Sequence, residues 1–239
     1  MRSYTRHKLK QDAFRASTTE TISWAVEHQS KLVAAGIVVA MIAALAIGGW
    51  AYINYRDQQA QSELALAIQK YDAPIRPAGT PETPEMLSFG SAQERAKVTN
   101  AEFTHIADKY TFTQSARVAR YFAGVTAHDL GDNATAERDL KDVAASSHKE
   151  IASLAKMALA SLYRDTNRNS QAIELYKDLA DHPTASVGKD TAQFLLASLY
   201  EQTGQPDQAR VLYQQMQKSN PASPVAQLAG QKLQALGQP

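Results

Sequence analysis

Residues 32–55 form an apolar run without a single charged side chain, bounded by Lys31 and Arg56. No other stretch of the chain is as apolar for as long. As helix at about 1.5 Å per residue, the run is long enough to cross a hydrocarbon layer of about 30 Å. A buried helix of a soluble domain is usually shorter and interrupted by charge. A cleaved signal sequence has a shorter leader and an apolar core of about 7–15 residues. It also ends in small residues, whereas Gly49-Trp50-Ala51-Tyr52 is bulky. Trp50, Tyr52 and Tyr55 gather at the C-terminal end of the run, where amphipathic rings favour the headgroup region. Lys31 can extend its ammonium towards water at the other end. Residues 31–55 are therefore expected to be a transmembrane signal anchor.

Charge gives the expected orientation. Residues 1–31 carry six Lys/Arg against three acidic residues, and residues 57–239 carry 18 Lys/Arg against 21 Asp/Glu. A short basic tail tends to stay in the cytoplasm, which places the large C-terminal part on the other side. The tail, residues 1–30, is expected to meet anionic lipid. It includes a short amphipathic helix over 18–28, with Ser17 and Glu20 as a capping box and Trp24 near its apolar face. Within the span, Gly36, Ala40, Ala44 and Gly48 recur every four residues. Small residues so spaced let another membrane helix approach closely. The chain has no cysteine, which excludes disulfides, thiol nucleophiles and Cys-ligated metals.

Beyond the span, Leu64, Ala65, Ile68 and Tyr71 have helical spacing, so Arg56–Tyr71 is expected to be helix, with or without a break from the span. Residues 73–90 hold Pro74, Pro77, Gly79, Pro81, Pro84 and Gly90 and read as a mobile loop. Residues 56–90 thus form a juxtamembrane helix and a Pro-rich linker. From 91 to 239 the pattern predicts amphipathic helices over 91–109, 114–129, 133–146, 149–165, 169–181, 186–203, 205–218 and 222–236, with no strand.

These helices repeat. Leu159-Ala160-Ser161-Leu162-Tyr163 returns as Leu196-Ala197-Ser198-Leu199-Tyr200 at a shift of 37, and Leu175-Tyr176 returns as Leu212-Tyr213. Gly131, Asn167 and Gly204 stand at the turn within each pair, and these residue types tolerate a left-handed backbone. The period, the small residues at close-packing positions and the aromatic residues resemble tetratricopeptide repeats. Three units are visible, about 117–149, 153–184 and 190–221. The pattern positions are Gly124, Gly131, Ala136, Leu140 and Val143 in the first, and Leu159, Ala160, Tyr163, Ala172, Tyr176 and Ala180 in the second. In the third they are Leu196, Ala197, Tyr200, Gly204, Ala209, Tyr213, Met216 and Pro221. Arg120, Lys156 and Gln193 replace the early tryptophan of such repeats. Residues 94–110 fit a degenerate second helix, and 222–236 a C-terminal cap. The fold expected is all-α: one N-terminal transmembrane helix followed by a tetratricopeptide-like solenoid.

The resemblance implies a concave face lined by the first helix of each unit. Its groove-facing candidates are Tyr121, Val125 and His128, then Met157, Ser161 and Arg164, then Phe194, Ser198 and Glu201. Repeats that clamp a peptide carboxylate use Lys, Asn and Arg there. Here the positions are mostly apolar or aromatic, which disfavours that mode.

Chemistry finds no foothold in the sequence. The six histidines are scattered, and none stands three or four residues from another, so neither a metal site nor a cofactor is expected. There is no phosphate-binding glycine loop and no Gly-x-Ser-x-Gly elbow. The mild acidity of the repeat region gives no support to nucleic-acid binding, and no small-molecule substrate is expected.

In order and length of parts the chain resembles the ancillary SecYEG translocon subunit (YfgM-like) family. The stretch that carries this is Trp24-Ala25-Val26-Glu27-His28-Gln29-Ser30-Lys31, where an amphipathic helix meets the span, together with the repeats. The Pro-rich segment 73–90 and the basic start depart from that family. The resemblance implies a bacterial inner-membrane protein, single-pass, with its C-terminal domain in the periplasm. It implies a non-catalytic adaptor whose partners are the translocon, periplasmic chaperones and exported client proteins. A scaffold for envelope assembly, in cytochrome maturation or cell-wall machinery, and an enzyme with an unrecognised site are the alternatives.

Overall fold

The structure is a computed structural model that describes residues 28–77, 79, 87–219 and 221–237. The expected helix 18–28, its Ser17 cap and Trp24 lie outside the described residues, apart from the last residue of that range. The described chain is helical, in the order α1 (Gln29–Tyr71), α2 (Ala92–Lys109), α3 (Gln114–Asp129), α4 (Asn133–Ala144), α5 (Lys149–Asp165), α6 (Asn169–Asp181), α7 (Lys189–Gln202), α8 (Pro206–Ser219) and α9 (Pro224–Gly237). The chain divides into two compact units, Met1–Asn54 and Tyr55–Pro239.

In the first unit, α1 is long and apolar enough to cross a membrane, with an 18-residue window of mean hydropathy 2.5 whose residues are all unburied. Leu45 is 76 % exposed and Trp50 69 %. Gly36 and Gly48 have no other part of the chain near the position a β-carbon would take.

The second unit begins on the same helix. Here α1 changes from all-round apolar to one-sided, and Ala60, Leu64 and Ala67 are buried. They join Phe103, Ile106 and Ala107 of α2 and Ala116, Ala119 and Ala123 of α3 in one apolar cluster. Phe103 stacks on Phe122 with ring centroids 4.9 Å apart, and Tyr71 meets both rings. The C-terminal part of α1 therefore supplies α2 with the helical partner that its degenerate repeat lacks. Two ion pairs cross the same contact, Lys70 with Glu102 and Lys109 with Glu63.

The ends of the Pro-rich segment are pinned. Ile75 and Phe89 form an isolated parallel bridge, with Arg76 N–H donating to the Phe89 carbonyl at 2.8 Å and Phe89 N–H to the Pro74 carbonyl at 3.1 Å. Ala73 and Phe89 are buried. Burying both side chains and pairing the backbone offsets the conformational freedom that the prolines and glycines suggested.

From α3 onward the helices pair in sequence, and a second apolar cluster runs from Ala127 of α3 to Ala229 of α9. The turns within units share one device. Gly131, Asn167 and Gly204 have φ of +80°, +59° and +74°. In each, the next residue's N–H donates back to the carbonyl five residues before it: Asp132 to Ala127, Arg168 to Tyr163, Gln205 to Tyr200, at 2.7–2.9 Å. This is the Schellman closure, which satisfies the last carbonyls of a helix. Gly124 answers a different need. A β-carbon there would fall 2.8 Å from Leu140 Cγ and 3.3 Å from its backbone nitrogen, so glycine is what lets α3 and α4 approach.

Three helix ends differ from the pattern by two residues or more. Helix α4 stops at Ala144, not Ser146. Helix α7 starts at Lys189, because Thr184 and Val187 close a loop on each other at 3.0 and 3.1 Å and bury Val187. Helix α9 starts at Pro224, because the Ser223 hydroxyl accepts from Ala226 N–H at 3.0 Å. Proline suits a first helical position, where its missing N–H leaves nothing unsatisfied.

The positions that lack the usual tryptophan carry charge pairs instead. Arg120 reaches Asp142 at 3.4 Å and also Asp108 at 3.2 Å, and Lys156 reaches Asp178 at 2.6 Å. The two pairs occupy equivalent places in the first and second units, each joining a first helix to its second. Gln193 and Gln215 hold the same places in the third unit.

Candidate functional site

The nine groove-facing candidates all sit on first helices and all are half-buried. Tyr121, Val125 and His128 of α3 and Met157, Ser161 and Arg164 of α5 line one cleft of about 490 Å³. The remaining three, Phe194, Ser198 and Glu201 of α7, do not. The third unit contributes Leu195 instead. The cleft's other lining residues include Leu140 and Tyr176, from the second helices of the first two units, and Asp129, Ala158 and Asp165.

A chain of polar contacts crosses the rim. Arg164 donates from Nε to Asp165 Oδ1 at 2.9 Å and from a terminal nitrogen to Ser161 Oγ at 2.9 Å. His128 lies between Asn133 Oδ1, 3.0 Å from Nδ1, and Asp165 Oδ2, 3.1 Å from Nε2. Burial raises the Asp165 carboxyl, but hydrogen bonds from Arg164 and His128 outweigh this and hold it below the usual carboxylate range. The rim is thus tied together, and α3 is joined to α5 across it.

Inside the cleft Tyr176 is 1 % exposed, and burial raises its hydroxyl above the ordinary range. Among the described residues this hydroxyl has no hydrogen-bond partner. The third unit shows what such a partner looks like. The hydroxyl of Tyr213, the repeat equivalent of Tyr176, is 3.3 Å from Ser198 Oγ. Its ring meets Phe194 at 5.8 Å between centroids, and burial pushes its hydroxyl up to about 12. In the second unit the equivalent serine, Ser161, is occupied by Arg164. Glu201, equivalent to Arg164, is engaged by Lys232 of α9 at 2.9 Å. The tyrosine position therefore has an internal hydrogen bond in the third unit that the second unit lacks.

Residues outside the expected set also bind the units together. Glu137 of α4 accepts from Arg168 at 2.6 Å and from Tyr163 at 3.1 Å, and pairs with Lys141 at 2.7 Å. Lys141 and Arg168 together hold its carboxyl down to about 2. No group of three or more His, Cys, Asp or Glu that could hold a metal ion occurs among the described residues.

Searches against curated proteins and against solved structures return no match. One family model does match, that of the tetratricopeptide repeat-like domain, over residues 24–238. The match takes in the apolar run as well as the repeats, and it agrees with helical pairs that share one turn geometry and an apolar cluster running from α3 to α9. Repeat domains of this kind mediate contacts between proteins. On that breadth of agreement, the chain belongs to the tetratricopeptide repeat-like domain family.

Proposed function

We propose that this protein is a non-catalytic adaptor, held in a bacterial inner membrane by residues 31–55, that grips polypeptide segments in the cleft between its first two full repeats. The observation that carries the reading is the cleft itself, where the Tyr176 hydroxyl opens onto free space beside Tyr121, Val125, Leu140 and Met157 and takes no hydrogen bond from the described residues. That hydroxyl is free to donate, and a peptide backbone carbonyl entering the cleft would accept its hydrogen bond. Tyr121, Val125, Leu140 and Met157 would receive an apolar side chain of the same segment.

Clients of this chemistry are unfolded or extended chains, as exported proteins are while they emerge from a translocon. With the basic tail in the cytoplasm and the repeat domain exported, the cleft would stand on the side where such chains appear. Periplasmic chaperones would share these clients. The face formed by Gly36, Ala40, Ala44 and Gly48 would meet a membrane helix of the translocon.

A photoreactive side chain in place of Met157, activated in intact cells, tests this. The expected result is a discrete set of adducts with exported proteins, chaperones or translocon subunits. Adducts indistinguishable from those formed at the exposed Asp207 would overturn the reading.

A further inference from the structure

The turn between α2 and α3 holds a contradiction. Phe112 has φ +73°, a left-handed backbone that a bulky L residue rarely adopts and that glycine would take freely. Strain of this kind persists where the surroundings enforce it, and it gathers at functional positions. Phe112 is 80 % exposed, more than any large apolar residue of the span itself. A left-handed backbone and an exposed aromatic ring thus coincide at Phe112.

The turn is fixed, and it is fixed to a particular place. Thr113 accepts from Ala116 N–H at 3.0 Å to cap α3 and donates to the Tyr110 carbonyl at 2.8 Å. Asp57 accepts from Ser115 N–H at 2.9 Å. The Arg56 guanidinium donates to the Lys109 carbonyl and lies 4.9 Å above the Tyr110 ring. Arg56 and Asp57 are the first two charged residues after the apolar run, directly following Tyr55. The turn itself, Tyr110 to Ala116, is uncharged. Among the described residues, no carboxylate pairs with Arg56.

We propose that the α2–α3 turn is a second membrane contact, in which Phe112 enters the headgroup region of the bilayer that residues 31–55 cross. The inference rests on the anchoring reading above and adds to it. Aromatic rings on the apolar side of interfacial segments sit at the headgroup and acyl boundary, where Trp50, Tyr52 and Tyr55 are also expected. Arg56, free of a carboxylate, is set to meet lipid phosphate.

The absence of cysteine makes the test direct. Phe112→Cys, Ile42→Cys and Val211→Cys, each in the full chain, are labelled with an environment-sensitive fluorophore. The proteins are reconstituted into phosphatidylcholine and phosphatidylglycerol vesicles carrying nitroxides at shallow or deep positions on the lipid. Val211 is 63 % exposed on α8 and serves as the solvent reference. The expected result is strong quenching at Ile42 by the deep nitroxide and at Phe112 by the shallow one, the latter about twofold or more above Val211. Quenching at Ile42 with Phe112 no different from Val211 overturns the proposal and leaves the anchor standing. No quenching at Ile42 defeats the anchor, and the proposal with it.

Discussion

The second and third repeats present the same positions to the same side and do opposite things with them. Tyr213 has Ser198, Phe194 has Tyr213 and Glu201 has Lys232, so these groups are answered from within. In the second repeat Arg164 takes Ser161, and Tyr176 is left without a partner at the bottom of a cleft. The serine bonds Arg164 in the second unit and the tyrosine in the third, where Glu201 stands in place of that arginine. The two units thus differ in chemistry where they depart from the repeat, not where they keep it.

The largest expected effect comes from the cleft floor. Leu140 is fully buried beneath the open site, and Leu140→Ala should cost about 2–5 kcal/mol, measured as a lowered denaturation midpoint. Gly124→Ala presses on the same leucine. Overpacking should exceed the gain in helix propensity and leave a net loss of about 1 kcal/mol.

Acid sharpens the contrast between a site tied together and one left open. Glu137 is held down to about 2 in the folded chain, against 4.5 ordinarily. Its contribution is therefore complete above about pH 4.5 and fades as pH falls towards 2. Its side chain is partly in water, so the discounted value is about 1 kcal/mol. Glu137→Gln should lower stability by that amount at pH 7 and make no difference near pH 2. An unchanged gap across that range would contradict the ion cluster.

The smallest effect is expected from Lys232→Ala, which frees Glu201 at the closed repeat. With the Lys232 side chain 45 % exposed, the pair contributes about 0.5 kcal/mol, so the thermal midpoint should barely move. A loss several times larger would mean that α9, rather than repeat chemistry, keeps the third unit closed.

Much of this was legible in the residues. Gly131, Asn167 and Gly204 announced their left-handed turns because few residue types accept that backbone, and the helical periods placed α3, α5 and α6 to the residue. The partner of an amphipathic helix is harder to read. Leu64, Ala65, Ile68 and Tyr71 show that the C-terminal part of α1 is one-sided, but not that Phe103 and Ala119 cover it. The pairs Arg120–Asp142 and Lys156–Asp178 recur at one spacing, a signal available in the sequence behind the missing tryptophans. Tyr176 and Phe112 were beyond reach. One depends on which neighbour Ser161 bonds, the other on a backbone angle with no sequence mark.

The decisive measurement is a binding titration of a fluorescent, permanently unfolded exported polypeptide against the full-length protein in nanodiscs, compared across Tyr176→Phe and Tyr213→Phe. If Tyr176 donates to the bound chain, Tyr176→Phe weakens affinity by roughly fivefold, equivalent to about 1 kcal/mol, and leaves stability unchanged. Tyr213→Phe should then lower stability slightly and bind as the parent does. Equal affinity for the parent and Tyr176→Phe, or a loss confined to Tyr213→Phe, would contradict the assignment of the open cleft as the binding site.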